Sequence, residues 1–372
     1  MLKAINHSHS FTTLRTLLLH HSIAMTKQQF RNTLSRGHNN KRTLGFLFSR
    51  AIAVFAVLQL FAPCTGLAAP SKVAVLGATG RLGSQTIRKF LEKEIPVRCL
   101  VRPSSVEKLP EEFTKSPIFE VVTGNILAES SRSSEGVFDD EIVAPSTELL
   151  KCLEGCGGVV ACYGATRTTK FADLFSNPED KDPTHAKQIN YRSMIALVVA
   201  CKAVNLKASN SDDKKIGHIV RITGKGEAPT SIFTVLLNGL GSFCKAWNYQ
   251  GEVFLRTSLA EDDSIGYTIV RPGIMKQIDE AASKTKEPQT SFDNDNLLLA
   301  DNGGNDLKVT PVAYSQMANL LVELVISAGD GRISPKKKNH RVTLASMNPS
   351  EDDDGTKVKT LAEKISALRN DR

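Results

Sequence analysis

The stretch Lys72–Gly83, KVAVLGATGRLG, decides the fold of this chain. Its first part, Lys72–Leu76, is a short apolar run that ends at a glycine, which is typical of a buried parallel strand. Residues 81–93 follow with apolar side chains at helical spacing, which predicts a helix with one apolar face. The stretch is therefore predicted to form the first strand, turn and helix of a βαβ unit.

The glycines of this stretch are spaced G-x-x-G-x-x-G. In such a loop Gly77 permits the tight turn, Gly80 lets the backbone approach a diphosphate, and Gly83 allows close packing of helix on strand. Free N–H groups and the helix dipole favour an anion at the helix N-terminus. We therefore predict that this loop holds the diphosphate of a dinucleotide through Gly77, Ala78, Thr79, Gly80, Arg81, Leu82 and Gly83.

Apolar runs and amphipathic segments alternate along the rest of the chain. This pattern predicts an α/β fold with a doubly wound parallel sheet, formed by one domain over residues 71–346. Residues 347–372 are expected to add small C-terminal cap elements, namely an acidic loop and an amphipathic helix at 357–370. The other expected strands are 97–101, 119–122, 158–162, 216–222, 267–270 and 341–345, and a further helix is expected at 190–204.

Residues 1–70 have the composition of a removable targeting leader. The first 72 residues contain nine Lys or Arg and no acidic residue, which is typical of an organellar transit peptide. A plastid is the preferred destination and a mitochondrion the second. The apolar run within 51–69 leaves open a secretory route or a membrane anchor, and Met25 is an alternative start to Met1.

The basic charge of the chain belongs to this leader. Subtracting the nine basic residues of the first 72 positions from 47 leaves 38 against 39 acidic residues, so the remainder is almost neutral. We therefore expect no nucleic-acid partner.

The cysteines are expected to have structural roles. Cys99 and Cys162 lie inside apolar runs, where a reduced thiol behaves as a small hydrophobe. Cys152 and Cys156 have helical spacing, but no histidine lies near them in the sequence. No metal site is predicted.

The segment after the second strand indicates which nucleotide would bind. An NAD site usually places Asp or Glu at this point to hold the ribose hydroxyls. No acidic residue occurs from Ile95 to Val106, whereas Arg102 follows the strand directly and Arg81 lies in the glycine loop. Because a guanidinium matches phosphate geometry, NADP(H) is favoured over NAD(H) as the pyridine nucleotide.

The chain resembles the atypical, NmrA-like branch of the short-chain dehydrogenase/reductase superfamily over about residues 71–346. The resemblance implies that Tyr163, Gly164, Ala165, Thr223 and Pro272 line the nicotinamide side. Asn125 stands where the family usually has an aspartate on the adenine side. The motifs that carry the resemblance are VLGATGRLG at 75–83, LVR at 100–102, VTGN at 122–125, VACYGA at 160–165, NY at 190–191 and YTIVRPG at 267–273.

The family's usual acid/base pair is missing. Reducing members of the superfamily use a tyrosine and a lysine four residues later, because the lysine lowers the pKa of the phenol. None of the five tyrosines has a lysine at that position; Tyr163 and Tyr267 have Arg167 and Arg271 there. Weak alternative candidates remain, namely Thr223, Tyr249 and Gln250, with Lys225 or Lys245 as a source of protons.

Two hypotheses follow. The first is a noncatalytic NADP(H)-binding protein of an organelle, a regulatory or assembly factor with a protein partner or a membrane surface. The second is an NADPH-dependent oxidoreductase that reduces a small carbonyl, enone or quinone with a non-standard proton donor.

Overall fold

The computed structural model describes residues 71–129, 143–169, 182–209, 214–224, 243–262, 264–277, 297–301, 311–331, 333, 339–346 and 360–371. All of them belong to one compact unit, Leu67–Arg372. The expected leader, the acidic loop and Lys225 lie outside the described residues. None of the described helices is long and apolar enough to cross a membrane.

The described strands form an eight-stranded sheet in the order β3-β2-β1-β4-β5-β6-β10-β8. Every pair from β3 to β10 is parallel, and β8 is an antiparallel edge strand on β10. A second sheet pairs β7 with β9 in parallel. The strands are β1 Val73–Leu76, β2 Val97–Val101, β3 Phe119–Thr123, β4 Gly158–Ala161, β5 His218–Ile222, β6 Gly266–Pro272, β7 Ile274–Lys276, β8 Leu297–Asp301, β9 Pro311–Ala313 and β10 Asn339–Ser346.

Helices cover both faces of the large sheet. The helices are α1 Arg81–Glu92, α2 Glu111–Thr114, α3 Thr147–Leu153, α4 Ser193–Ala208, α5 Cys244–Leu259, α6 Tyr314–Gly329 and α7 Leu361–Ser366. A 3₁₀ turn spans Pro103–Lys108, and a π-helical turn, Lys187–Arg192, leads directly into α4.

Successive side chains of β1 point to opposite faces of the sheet, and each face has its own hydrophobic core. Val73 and Val75 pack with the buried side chains of α1, α6 and α7. Ala74 and Leu76 pack with those of α3, α4 and α5. Because each face of the sheet is covered by helices, the predicted doubly wound parallel sheet is confirmed.

The C-terminal helix is shorter than predicted. Thr360 caps α7, and the helix ends at Ser366, whereas the prediction extended it to residue 370. Beyond the helix, backbone groups of 369–371 bond to the start of β10. The Arg369 carbonyl lies 2.9 Å from His340 Nδ1, and the Asp371 N–H donates to the Asn339 carbonyl at 2.6 Å. Residues 368–371 are not helical, and these contacts to β10 take the place of the predicted last turn of the helix.

Candidate coenzyme site

A cavity of about 510 Å³ lies at the carboxyl ends of β1, β2 and β4. The strand order reverses between β1 and β4, the position where doubly wound sheets bind their ligands. The cavity is lined by Leu76, Gly77, Ala78, Thr79, Leu100, Val101, Arg102, Ser105, Gly124, Asn125, Ile126, Leu127, Tyr163, Gly164, Pro183, Thr184, Gln188, Ile189 and Ser193.

The glycine loop has the close approaches that its predicted role requires. Gly77 has φ +89°, and a Cβ there would lie 2.8 Å from the Tyr163 nitrogen. A Cβ on Gly83 would lie 2.1 Å from the Gly77 carbonyl oxygen, so only glycine lets α1 start this close to β1. Gly80 precedes α1 without a side-chain cap, and no acidic residue lies in the first turn. The amides of that turn are therefore available to an anion.

Only the first part of the glycine loop lines the cavity. Gly77, Ala78 and Thr79 line the cavity, whereas Gly80, Arg81, Leu82 and Gly83 do not. Leu82 is buried in the core. The Arg81 guanidinium carbon lies 5.9 Å from the centroid of the Tyr314 ring, at the start of α6.

The two arginines around β2 point to different parts of the molecule. Arg102 is exposed and lines the cavity together with the buried Ser105. Arg98 instead donates to the Glu120 carboxylate at 2.6 Å and to the Glu154 carbonyl at 2.7 Å, at the C-terminus of α3. Arg102 is therefore the one of the two that can meet a bound nucleotide.

A hydrogen bond from the residue that caps α3 fixes the loop after β3. Asn125 lines the cavity, and its carbonyl accepts a short hydrogen bond from the Ser146 hydroxyl. The same hydroxyl accepts from the Leu149 N–H at 3.0 Å and caps α3. The helix thus anchors the position that carries Asn125.

Three elements hold the backbone of the loop after β4. The Tyr163 carbonyl accepts from Arg221 Nη1 at 2.7 Å, and the Ala165 N–H donates to Asn190 Oδ1 at 3.0 Å. The Ala165 carbonyl accepts from Cys244 Sγ at 3.6 Å. Tyr163 and Gly164 line the cavity, and Ala165 lies just outside it. The loop is therefore preorganised on β5, the π-helical turn and α5.

Neither tyrosine–arginine pair forms an acid/base couple. The Tyr163 hydroxyl is buried without a hydrogen-bond partner, and this burial raises the pKa of Tyr163 to about 12. Arg167 donates to Asp182 at 2.7 Å. The Tyr267 hydroxyl donates to Asp371 at 3.0 Å, and burial raises the pKa of this phenol as well.

The remaining predicted residues lie outside the cavity lining. Thr223 follows β5, and its hydroxyl donates to Glu252 Oε1 at 2.6 Å. Pro272 is buried at the end of β6. On α5, Gln250 is exposed, whereas Tyr249 and Lys245 are half-buried.

Sequence reasoning missed the segment that closes one side of the cavity. Pro183 and Thr184 line it, and Asp182 holds them by accepting from the Thr184 N–H at 2.8 Å and from Arg167. Burial opposes the charge of Asp182, but the bonds from Thr184 and Arg167 outweigh it and lower the pKa of this carboxyl. The sequence Asp-Pro-Thr at 182–184 is a turn signal that could have identified the segment.

The cysteines have the structural environments that were expected. Cys99, Cys152, Cys156 and Cys201 are buried and unpaired. Among the described residues, no group of three or more His, Cys, Asp or Glu side chains is placed to hold a metal ion.

Comparison with known proteins places this geometry in context. No family model matches the chain. Over 259 residues the chain is 25% identical to Protein TIC 62, chloroplastic, of pea (Pisum sativum). The match covers 68% of this chain and 43% of the pea protein, so the chain spans less than half of the length of this relative.

Solved structures with similar folds are distant in sequence. A short-chain dehydrogenase/reductase from Veillonella parvula, solved in complex with NADP, is 12% identical with a TM-score of 0.47, covering 74% of this chain and 94% of that one. ChuY, described as an anaerobillin reductase from Escherichia coli O157:H7, is 13% identical with a TM-score of 0.45, covering 75% and 98%.

Proposed function

We propose that this chain is an NADP(H)-binding protein of a plastid that acts as a regulatory or assembly factor rather than as a catalyst. Its response to the redox state of the coenzyme would be conformational. The observation that carries the proposal is a cavity lined by Gly77, Ala78 and Thr79 of the glycine loop, beside a tyrosine that is poorly suited to donate a proton.

The preference for NADP(H) rests on Arg102. Its exposed side chain lines the cavity at the end of β2, where the ribose of an adenosine half would lie. Glu120, on the neighbouring strand β3, is already bonded to Arg98 and Lys72, away from the cavity. A 2′-phosphate would therefore meet a guanidinium and the Ser105 hydroxyl.

The noncatalytic role rests on the donors near the expected nicotinamide. The Tyr163 hydroxyl is buried and hard to ionise, so it is a poor partner for proton transfer near neutral pH. The only proton of the Thr223 hydroxyl is already donated to Glu252. Neither group is ready to protonate a substrate oxygen.

The plastid location rests on two observations. The first 72 residues have the composition of a transit peptide. The similar pea protein has a chloroplastic name, and this chain resembles it over 259 residues. A protein or membrane-surface partner in that organelle belongs to the same proposal.

The second candidate is an NADPH-dependent oxidoreductase for a small carbonyl, enone or quinone. It is favoured by the half-exposed position of Thr223 at the carboxyl end of β5, on the side of the sheet edge that a nicotinamide would reach. Tyr249 and Gln250 are further candidates on α5.

One experiment separates the two functions. The purified protein is titrated with NADPH and NADH, and nicotinamide absorbance is then followed with a panel of quinones, aldehydes and enones. The proposal expects saturable NADPH binding without turnover. Turnover that Thr223→Val or Tyr249→Phe abolishes would establish the oxidoreductase instead.

A further inference from the structure

A chain of hydrogen bonds at the carboxyl edge of the sheet links Thr223, Glu252 and Arg271, which we name the acceptor triad. Thr223 Oγ1 donates to Glu252 Oε1 at 2.6 Å. Arg271 Nε lies 3.0 Å from Glu252 Oε1 and 3.1 Å from Oε2, and its Nη2 makes a further short bond to Oε2. The triad joins the end of β5 to α5 and β6.

The triad fixes the direction in which the Thr223 hydroxyl donates. An arginine has donors only and a carboxylate paired with it has acceptors only, so the bond between Thr223 and Glu252 must use the threonine proton. The hydroxyl has no second proton. What Thr223 offers to a ligand is therefore a pair of acceptor sites and no donor.

Because Glu252 and Arg271 are buried, reversing the direction in which the Thr223 hydroxyl donates would cost free energy. Glu252 is 1% exposed and Arg271 is 6% exposed. If Thr223 turned its proton to a ligand, a buried carboxylate oxygen would lose a charge-assisted hydrogen bond, and such groups are expensive to leave short of partners.

The backbone around the triad is also held in place. The Thr223 N–H donates to the Val270 carbonyl at 3.0 Å. Gly251 stands just before Glu252 on α5, and a Cβ there would lie 2.5 Å from the Asn190 carbonyl oxygen. Helix α5 therefore packs tightly on the π-helical turn at this point. The backbone of Thr223 is thus held by β6, and the helix that carries Glu252 is held by the π-helical turn.

We infer that Thr223 accepts a hydrogen bond from the carboxamide NH₂ of a bound nicotinamide, and that Glu252 is the positioning residue that keeps Thr223 an acceptor. The inference rests on the proposed coenzyme function. A dinucleotide in the crevice of a doubly wound sheet runs from β1 across the switch point towards the strands beyond β4. Its carboxamide is the neutral N–H donor at that end.

A matched pair of coenzymes tests the inference in the full-length protein. The dissociation constants of NADP⁺ and its 3-acetylpyridine analogue are compared, because the analogue keeps the carbonyl and replaces NH₂ with a methyl group. Wild type is expected to prefer NADP⁺ by about tenfold, the value of one ordinary hydrogen bond. Thr223→Ser is expected to keep this preference and Thr223→Val to lose it.

Glu252→Gln provides the readout for the positioning residue. The new amide can donate to the Thr223 hydroxyl, which leaves the threonine O–H free to donate to a ligand. The ratio of the two dissociation constants is therefore expected to fall towards one. A general loss of folding would weaken both nucleotides equally and leave the ratio unchanged. Where Glu252→Gln does not fold, the Thr223 variants decide.

The outcomes distinguish the inference from the proposed function. A ratio in Thr223→Val equal to that of wild type, with NADP⁺ still bound, would overturn the acceptor role and leave the coenzyme function standing. Failure of wild type to bind either nucleotide would overturn the proposed function and the inference with it.

Discussion

Arg221 contacts Tyr163 in two ways: its guanidinium carbon lies 4.3 Å from the centroid of the tyrosine ring, and its Nη1 donates to the tyrosine carbonyl at 2.7 Å. The backbone of the loop after β4 is therefore held by β5, while the phenol is enclosed by its neighbours. This relationship makes Tyr163 a structural residue at the cavity rather than a source of protons.

Tyr163→Phe is expected to leave NADPH affinity within about twofold of wild type and to raise the free energy of unfolding by about 1 kcal/mol, because a buried hydroxyl without a partner is removed. Calorimetric titration and urea denaturation measure the two quantities. Arg221→Met is the contrasting variant, since it releases the Tyr163 carbonyl and should weaken NADPH. A large loss of affinity in Tyr163→Phe would contradict this assignment.

Arg102→Glu is expected to weaken NADPH by about 10- to 100-fold, the value of a lost charge-assisted contact, and NADH by only a few fold. The reason is that Arg102 lines the cavity where a 2′-phosphate would lie. Arg98→Gln is the matched control, because Arg98 bonds to Glu120 away from the cavity and its loss should leave the ratio of the two affinities unchanged. Equal losses for both nucleotides in Arg102→Glu would remove the case for 2′-phosphate recognition.

Gly83→Ala is expected to lower the free energy of unfolding by about 1–3 kcal/mol and to reduce NADPH affinity, because overpacking would push α1 away from the glycine loop. The new Cβ would lie 2.1 Å from the Gly77 carbonyl oxygen. Gly329→Ala at the end of α6 is the control, since its Cβ meets nothing within 4 Å. Denaturation and coenzyme titration of both variants measure the difference, and equal behaviour would show that the close approach is not needed.

Asp182 is expected to contribute to stability in a pH-dependent way. Its pKa is lowered in the folded state, so the stabilisation is present above the unfolded value of 3.8 and is lost as the pH falls through the folded value. Asp182→Asn should therefore flatten the acid limb of the stability profile below about pH 4 and also weaken NADPH, since Pro183 and Thr184 line the cavity.

Asp262 is the matched control for this prediction. It accepts from the Ser264 N–H at 2.8 Å in the same kind of turn, and its pKa is also lowered. It precedes the amino end of β6, at the opposite edge of the sheet from the cavity. Asp262→Asn should flatten the acid limb without changing NADPH affinity. Loss of affinity in Asp262→Asn alone would contradict the account.

The parallel sheet could be predicted from the sequence because its strands are buried on both faces and appear as continuous apolar runs, as in Val97–Val101 and Gly158–Ala161. The smaller strands β7 and β9 gave no such signal, since each has three residues and β7 is largely exposed. Helix α6 was also missed, although its apolar spacing would have supported a prediction.

The site was predictable where it depends on local sequence. The glycine loop and Arg102 are set by a strand, a turn and the residue that follows a strand. The acceptor triad was not predictable, because Glu252 lies 29 residues from Thr223 and 19 from Arg271 and only packing brings them together. The different roles of Arg98 and Arg102 were likewise not predictable, because the hydrogen-bond partners of Arg98 lie on β3 and at the end of α3.

Calorimetric titration of the purified protein with NADPH tests the central claim most directly. The account predicts a saturable heat of binding for NADPH and a weaker one for NADH, because the glycine loop holds the diphosphate of both and Arg102 favours the phosphorylated ribose. The absence of any heat or thermal shift with either nucleotide at millimolar concentration would contradict it.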